Sequence, residues 1–229
     1  MPTNAGHRQR VKDRFLAEGL DSFTEVHVLE LLLFYCIPQM DTKPLAKELI
    51  EHFGSLPQVL EASVEELQKI KGIKEHTATF LTLITAVSRY YQVHRAAGTV
   101  ILDTTEKYGQ YLVPYFVGRS VETVFLLCMD AKCKVLCCRE VGTGSINTSA
   151  VSIRRIVEQA LAVNASVAVL AHNHPSGLAV PSGADVVTTR KVTAALEAVD
   201  VVLADHIVVA DDDFVSMVQS GYYRPGESQ

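Results

Sequence analysis

The 229-residue sequence lacks long apolar runs, and we expect no secretory signal in its first residues. Its apolar runs, such as residues 31–37 and 167–171, are far shorter than the roughly 18 residues that a membrane span requires. The basic residues near the start of the chain are not followed by the apolar core of a secretory signal. We therefore expect a cytoplasmic protein that has no membrane partner.

The sequence also has few cysteines and no excess of positive charge. Its five cysteines are an odd number and form no C-x-x-C pair, which argues against a disulfide framework and against a thiolate metal cage. The net charge of −5 argues against nonspecific binding of nucleic acid over the whole surface. Two local basic groups remain: His7, Arg8, Arg10, Lys12 and Arg14, and Lys69, Lys71, Lys74 and His76.

Apolar residues recur at helical spacing through the first part of the chain, from about residue 8 to residue 95. Either Asp41 or Thr42 is suited to cap one of these helices, and Ser63 with Glu66 forms the sequence of a capping box. This pattern predicts a small all-α domain over residues 1–95. A small-residue break at 96–98 ends it.

Beyond this break the pattern is that of an α/β domain, which we place at residues 104–225. The predicted strands are residues 121–129, 135–141, 167–170, 201–209 and 214–217, and the predicted helices are residues 151–163 and 182–199. The first two strands form a hairpin around the turn at 130–132. The expected fold is thus a mixed sheet with flanking helices, preceded by the helical domain.

A candidate metal site follows the third predicted strand. His172 and His174 are two residues apart, so their side chains can project to the same side of the strand and bind one cation. Asp185, in the first turn of the next predicted helix, is the candidate third ligand. Catalytic zinc usually takes three protein ligands and leaves a fourth position for water. An H-x-H pair alone is weak evidence, because a histidine at a strand end is more often a structural polar residue.

Residues 172–185 carry the more specific string H-x-H-x(7)-S-x-x-D, which resembles the signature of the JAMM, or MPN-plus, metallopeptidases. The surrounding His-Asn-His-Pro-Ser-Gly is similar to the RadC-like branch, as are the segments at 142–149 and 205–209. The resemblance implies an α/β fold layered like that of cytidine deaminases. It also implies one zinc ion per chain, bound by His172, His174 and Asp185, with Ser182 stabilising the oxyanion.

In the JAMM family a glutamate on an earlier strand is the general base. Glu122 precedes an apolar run as that glutamate does, and Glu140 and Glu158 are the rivals. RadC-like sequences tend to have a further glutamate at the start of the helix near residue 153, and here Arg155 replaces it. The implied reaction is hydrolysis of a peptide or isopeptide bond by zinc-activated water, with Glu122 transferring the proton.

Two further residues of this region have a structural interpretation. Ser182 is suited to cap the helix that follows it, and this role is compatible with an oxyanion contact. His206 resembles a family feature, and we expect it to support the site and not to bind the metal directly.

The helical part contains a segment, residues 67–81, that resembles a helix-hairpin-helix element. Its hairpin is Lys71, Gly72, Ile73 and Lys74, and Lys74 replaces the second glycine of the usual hairpin. The side chain of Lys74 can obstruct a phosphate, whereas the charges of Lys71 and Lys74 attract one. Contact with DNA and a purely structural hairpin or protein-docking surface therefore both remain open.

The alternative function is that of a DNA-binding repair or recombination protein with metal-dependent nuclease activity. Phosphodiester cleavage often uses two metal ions, whereas the sequence shows one three-ligand set. A zinc deaminase is excluded, because the H-x-E and P-C-x-x-C elements are absent.

Overall fold

The structure is a computed structural model that describes residues 4–94, 100–144 and 152–226. The chain forms two compact units, Met1–Ser88 and Arg89–Gln229. The predicted break at 96–98 lies outside the described residues, as does the segment 145–151, which contains part of the family-like string at 142–149.

The first unit is helical. Its helices are α1 (Asn4–Glu18), α2 (Glu25–Cys36), α3 (Lys43–Phe53), α4 (Leu56–Glu61), α5 (Val64–Leu67) and α6 (Glu75–His94), the last of which continues into the second unit. Leucines at helical spacing, among them Leu29, Leu33 and Leu49, are fully buried and form its core. The predicted capping box is confirmed, because Ser63 accepts the backbone N–H of Glu66 while the Glu66 carboxylate accepts that of Ser63.

The start of α3 differs in detail from the expected cap. Thr42 occupies the N-cap position, but its side chain makes no capping hydrogen bond. The Asp41 carboxylate instead accepts the backbone N–H of Lys43 at 3.1 Å. The Thr42 hydroxyl is buried and points to the carbonyl of Glu30, at 3.5 Å. Asp41 therefore satisfies the free amide, and Thr42 packs toward α2.

The second unit is a mixed α/β fold, as the sequence predicts. Its elements are α7 (Thr105–Leu112), a 3₁₀ turn (Val113–Phe116), β1 (Thr123–Met129), β2 (Val135–Thr143), α8 (Ile153–Ala162), β3 (Val167–Asn173), α9 (Gly183–Glu197), β4 (Val202–Ala210) and β5 (Asp213–Ser216). The strand order is β2-β1-β3-β4-β5, with β3 and β4 parallel and the other neighbours antiparallel. The helical segment at 105–116 was not predicted from the sequence pattern.

Helices cover both faces of the sheet, so the central strands are buried on both sides. One face packs against α8 and α9 through residues such as Ile156, Val192 and Leu196. The other packs against α7 and the 3₁₀ turn through residues such as Leu112 and Phe116. Over the described parts of the chain, no helix has both the length and the apolar character needed to cross a membrane.

Candidate metal centre

The carboxyl end of β3 brings two histidines to one face of the sheet. His172 pairs with Val124 of β1 and with Val208 of β4, and both valines belong to the core beneath α8 and α9. Since side chains alternate along a strand, His172 lies on that same face. His172 is fully buried, whereas the side chain of His174 is 19 % exposed. One ligand is thus enclosed and the other borders solvent.

The loop after His174 returns the chain to this face. It begins with a turn in which the backbone N–H of Gly177 is bonded to the carbonyl of His174 at 3.1 Å. The Nδ1 atom of His174 lies 2.9 Å from the carbonyl oxygen of Leu178, so a proton on Nδ1 is donated to that oxygen. This contact leaves the Nε2 atom of His174 as the nitrogen that faces the site.

The first turn of α9 supplies the carboxylate. Ser182 is the N-cap residue, and its Oγ accepts the backbone N–H of Asp185 at 3.2 Å. The Oδ2 atom of Asp185 in return accepts the backbone N–H of Ser182 at 2.6 Å and its hydroxyl at 2.7 Å. The structural interpretation of Ser182 as a helix cap is therefore correct. The two bonds that Ser182 donates both go to Oδ2 and so fix the orientation of the Asp185 carboxylate.

The three side chains converge as the ligands of a single cation would. The Nε2 atoms of His172 and His174 are 2.9 Å apart, and Asp185 oxygens lie 3.4 Å from the first and 3.7 Å from the second. Adjacent ligands of a tetrahedral zinc ion, each about 2.0–2.1 Å from the metal, are roughly 3.3–3.4 Å apart. In the described ranges these residues form the one group of three or more His, Cys, Asp or Glu side chains with ligand atoms within 4.8 Å of one another. The donor set fits a metal ion.

The electrostatics of the group favour an ionised Asp185 carboxylate and a neutral His206 ring. Burial raises the pKa of the Asp185 carboxyl, but its hydrogen bonds with His172 and Ser182 and the charge of His172 outweigh burial and hold that pKa below its ordinary range. Burial, and secondarily His172, lower the pKa of His206 well below its ordinary value, so its ring is neutral. An ionised Asp185 is the form that binds a cation.

Glu122 immediately precedes β1. If the β1–β3 register, which pairs Val124 with His172, is continued by two residues, Glu122 lies opposite His174 and on the same face. Glu122 is partly exposed, and its carbonyl accepts the backbone N–H of Gly144 at 2.8 Å. This extension of the register predicts that Glu122 lies on the face of the sheet that carries the metal group.

The rival carboxylates are directed elsewhere. Glu140 pairs with Phe125, whose side chain lies on the opposite face of the sheet from His172, and it is bonded to Arg119 at 2.9 Å. Glu158 lies on α8, where it pairs with Arg154 at 2.7 Å on an exposed surface. Arg155 lies in the first turn of α8, and its backbone N–H is bonded to the hydroxyl oxygen of the N-cap residue Ser152.

Two buried residues that were not predicted from the sequence, Asn173 and Thr189, connect to the site. Asn173, between the histidines, is buried and forms hydrogen bonds with the first residue of β1 and with the segment before it. Thr189, one turn after Asp185 on α9, is buried and lies 2.6 Å from the ring of His206. The spacing of four residues between Asp185 and Thr189 was the available signal, but it had no meaning until His206 was placed beside it.

The predicted DNA-contacting residues lie between α5 and α6 in the first unit. Gly72 has φ +100°, and Lys71, Gly72 and Lys74 are exposed, while Ile73 is buried. Lys74 is not among the residues with positive φ. Within the hairpin, Gly72 is therefore the residue with a positive φ, and Lys71 and Lys74 are exposed to solvent.

The mixed sheet, with helices on both faces and a His-His-Asp group at the end of its central strand, defines an α/β domain with a candidate metal centre. Residues 102–222 match the RadC-like JAB domain, and residues 3–79 match the UPF0758 N-terminal domain. The chain belongs to the RadC-like JAB domain family, as its sequence resemblance indicated.

Proteins similar to this chain over nearly its whole length occur in several bacteria. A UPF0758 protein of Fusobacterium nucleatum is 32% identical over 225 residues, which are 95% of this chain and 97% of that protein. A UPF0758 protein of Ruegeria pomeroyi is 32% identical over 94% of this chain and 96% of its own length. One of Methylibium petroleiphilum is 34% identical over 93% and 96%. These names state no reaction, so the reaction must be inferred from the site.

Proposed function

We propose that the chain is a zinc-dependent hydrolase that cleaves an amide bond in a peptide or isopeptide substrate. The observation that carries this proposal is the convergence of His172, His174 and Asp185, whose ligand atoms lie within 4.8 Å of one another, with Nε2 of His172 3.4 Å from Oδ1 of Asp185. Two imidazoles and one carboxylate suit zinc better than they suit magnesium or calcium, which prefer oxygen ligands. Membership of a JAB-domain family supports hydrolysis as the reaction class.

His172, His174 and Asp185 would hold the zinc ion, which would supply Lewis acidity to activate water and to polarise a carbonyl group. Glu122, beside His174 on the same face, accepts the proton of the attacking water and returns it to the departing amine. Its partial exposure allows water and substrate to approach. His174 borders the same solvent-facing side, so substrate enters there and not past the buried His172.

Ser182 has a second role in this proposal. Its Oγ stands at the amino terminus of α9, where the helix dipole favours negative charge. The Ser182 hydroxyl donates to Asp185 in the structure, so it must turn toward the substrate to stabilise an oxyanion. We expect Ser182→Ala to lower kcat by about 10²- to 10³-fold, the range found for the loss of one oxyanion donor.

The test compares the wild type with Glu122→Gln on quenched peptide, isopeptide and branched-DNA substrates, with zinc measured by atomic absorption. The expected result is one zinc per chain in both proteins and a loss of amide hydrolysis of about 10²- to 10⁴-fold in the variant. Amide hydrolysis at the wild-type rate by Glu122→Gln contradicts the assignment of the base. A wild type that binds no zinc contradicts the metal assignment.

DNA binding by the first unit is the second candidate. It is supported by the exposed Lys71 and Lys74 on either side of the positive-φ Gly72. We expect the double variant Lys71→Ala, Lys74→Ala to weaken duplex DNA binding and to reduce the salt dependence by about one unit of slope per lysine. Lys43→Ala with Lys47→Ala, on the exposed surface of α3, is the matched control. Equal losses in the two double variants contradict a specific contact at the hairpin.

A further inference from the structure

The imidazole of His172 is bonded on both of its nitrogens. Its Nε2 faces His174 and Asp185, and its Nδ1 lies 2.8 Å from Nε2 of His206. The opposite nitrogen of His206, Nδ1, lies 2.6 Å from the hydroxyl oxygen of Thr189. That hydroxyl donates to the backbone carbonyl of Asp185 at 2.6 Å. A continuous chain of contacts therefore leads from one member of the metal group to another.

The protons of this chain can be assigned from the requirement that His172 bind a cation through Nε2. A neutral imidazole that offers the lone pair of Nε2 carries its proton on Nδ1, and this proton is donated to Nε2 of His206. His206 then carries its own proton on Nδ1 and donates it to Thr189. The Thr189 hydroxyl has one proton, which goes to the Asp185 carbonyl. Every donor meets an acceptor, and no step requires a charged ring.

The series of contacts from His172 to the Asp185 carbonyl is enclosed, so water does not compete for its hydrogen bonds. His172, His206 and Thr189 are each at most 1 % exposed. His206 pairs with Leu170 in the parallel β3–β4 ladder, and Leu170 belongs to the core beneath α8 and α9. The three side chains thus lie between the sheet and α9 on the face that carries the metal group.

We propose that His206 and Thr189 are positioning residues for the metal site, which fix the tautomer and ring orientation of His172 and couple it to Asp185 on α9. This inference rests on the proposed binding of zinc. Loss of a hydrogen-bond partner of a metal-binding histidine typically weakens metal affinity about 10- to 100-fold. His206 thereby acts without binding the metal itself.

Thr189→Val is the sharpest probe, because it keeps the shape of the side chain and removes the hydroxyl. We expect zinc to bind Thr189→Val about 10- to 100-fold more weakly than wild type, as measured by competition with a chromophoric chelator. Thr189→Ser restores the hydroxyl and is expected to bind zinc near the wild-type affinity. His206→Leu is expected to match the loss, and His206→Gln, which retains an acceptor and a donor, to recover part of it.

Thr193→Val is the matched control. Thr193 lies one turn further along α9, is equally buried and also donates to a backbone carbonyl, that of Thr189, but it makes no contact with either histidine. We expect its zinc affinity to stay within about threefold of wild type, a much smaller change than the loss expected for Thr189→Val. A loss in Thr193→Val equal to that in Thr189→Val would show a general packing effect and overturn the proposal.

A spectroscopic measurement separates orientation from packing. In zinc-loaded wild type, ¹⁵N-resolved proton spectra are expected to show hydrogen-bonded Nδ1–H signals from His172 and His206, and both should move in Thr189→Val and return in Thr189→Ser. Wild-type affinity in Thr189→Val overturns this inference while leaving the hydrolase proposal intact. Tight zinc binding with no effect of Glu122→Gln on amide hydrolysis contradicts the proposed hydrolase mechanism and leaves the positioning inference intact.

Discussion

The side-chain oxygen of Asn173 accepts the backbone N–H of Thr123 at 2.7 Å, and so joins the end of β3 to the start of β1. The amide nitrogen of Asn173 also lies 3.3 Å from the carbonyl of Arg119 and 3.4 Å from that of Val121. These contacts lie on both sides of Glu122 in the sequence. The residue between the two histidines therefore holds the segment that carries the proposed base.

We predict that Asn173→Ala lowers kcat for amide hydrolysis by about 10- to 100-fold, because a displacement of roughly 1 Å at a reacting group can have an effect of this size. Zinc content should stay at one per chain, since the hydrogen bonds of the Asn173 side chain go to the backbone of Thr123, Arg119 and Val121 and not to the ligand side chains. The measurement is steady-state kinetics together with metal analysis. KM is expected to change less than kcat.

Asn173→Asp tests which contact matters. It keeps an oxygen that accepts the Thr123 amide but replaces the donating nitrogen by an oxygen that repels the two carbonyls. We expect its kcat to lie between those of the wild type and Asn173→Ala. A kcat in Asn173→Ala equal to wild type, with zinc retained, contradicts the positioning role.

Glu140 provides a second prediction. Its carboxylate is bonded to Arg119 on the face of the sheet opposite the metal group, so it cannot receive the proton of a water held there. We predict that Glu140→Gln hydrolyses amide substrates within about twofold of wild type, far from the 10²-fold or greater loss of a general base. The pair is partly exposed, so its removal should destabilise the fold by no more than about 1 kcal/mol. A kcat reduced as strongly as in Glu122→Gln contradicts this prediction.

Removal of the metal should destabilise the second unit. A ligand that binds only the folded state contributes about 4 kcal/mol when its free concentration is a thousand times its Kd. We predict a clear fall in the thermal midpoint of the zinc-loaded protein on addition of EDTA, as measured by calorimetry. His174→Ala is the control, because Asp185 also caps α9 and its replacement confounds the comparison. An EDTA shift of the same size in His174→Ala shows that the stabilising ion binds elsewhere.

The fold of the second unit was predictable where local pattern and burial agree. Its hairpin, its central strand and α9 all follow from apolar runs separated by turn residues, and the structure has them within a few residues of the predicted bounds. Convergence of His172 with His174 follows from the period of a strand. Their meeting with Asp185 follows from the family signature, because the loop at 175–181 carries no pattern that fixes where α9 begins.

Other elements depend on contacts that no local pattern contains. The segment of α7 is polar and has Gly109 at its centre, which disfavours a helix in isolation. The structure shows why glycine stands there: the ring of Phe214 occupies the space that a β-carbon on Gly109 would fill. Thr189 likewise gains its role from the packing of α9 against the sheet, which brings it next to His206 of β4. Tertiary packing decides both positions.

Asp205 gives the last prediction, which concerns stability. Its buried carboxylate accepts four hydrogen bonds: from the hydroxyls of Ser216 and Thr105 and from the backbone N–H groups of His206 and Val218. These bonds favour the ionised form, but burial outweighs them and raises the pKa of Asp205. Keeping this carboxylate ionised in the core therefore costs free energy. The four donors belong to α7, β4, β5 and the turn after β5, which makes this carboxylate a junction between elements.

Asp205→Asn places an N–H₂ group against donors that need an acceptor. We expect it to lower the free energy of opening of β4 by about 2–3 kcal/mol, since hydrogen bonds to charged groups contribute about 1.5–3 kcal/mol each and part is recovered by relaxation. Native-state amide hydrogen exchange of β4 measures this directly. Asp212→Asn, at an exposed position after β4, should change it by no more than about 0.5 kcal/mol. Equal protection of β4 in the two variants would show that the four bonds to Asp205 do not stabilise the sheet.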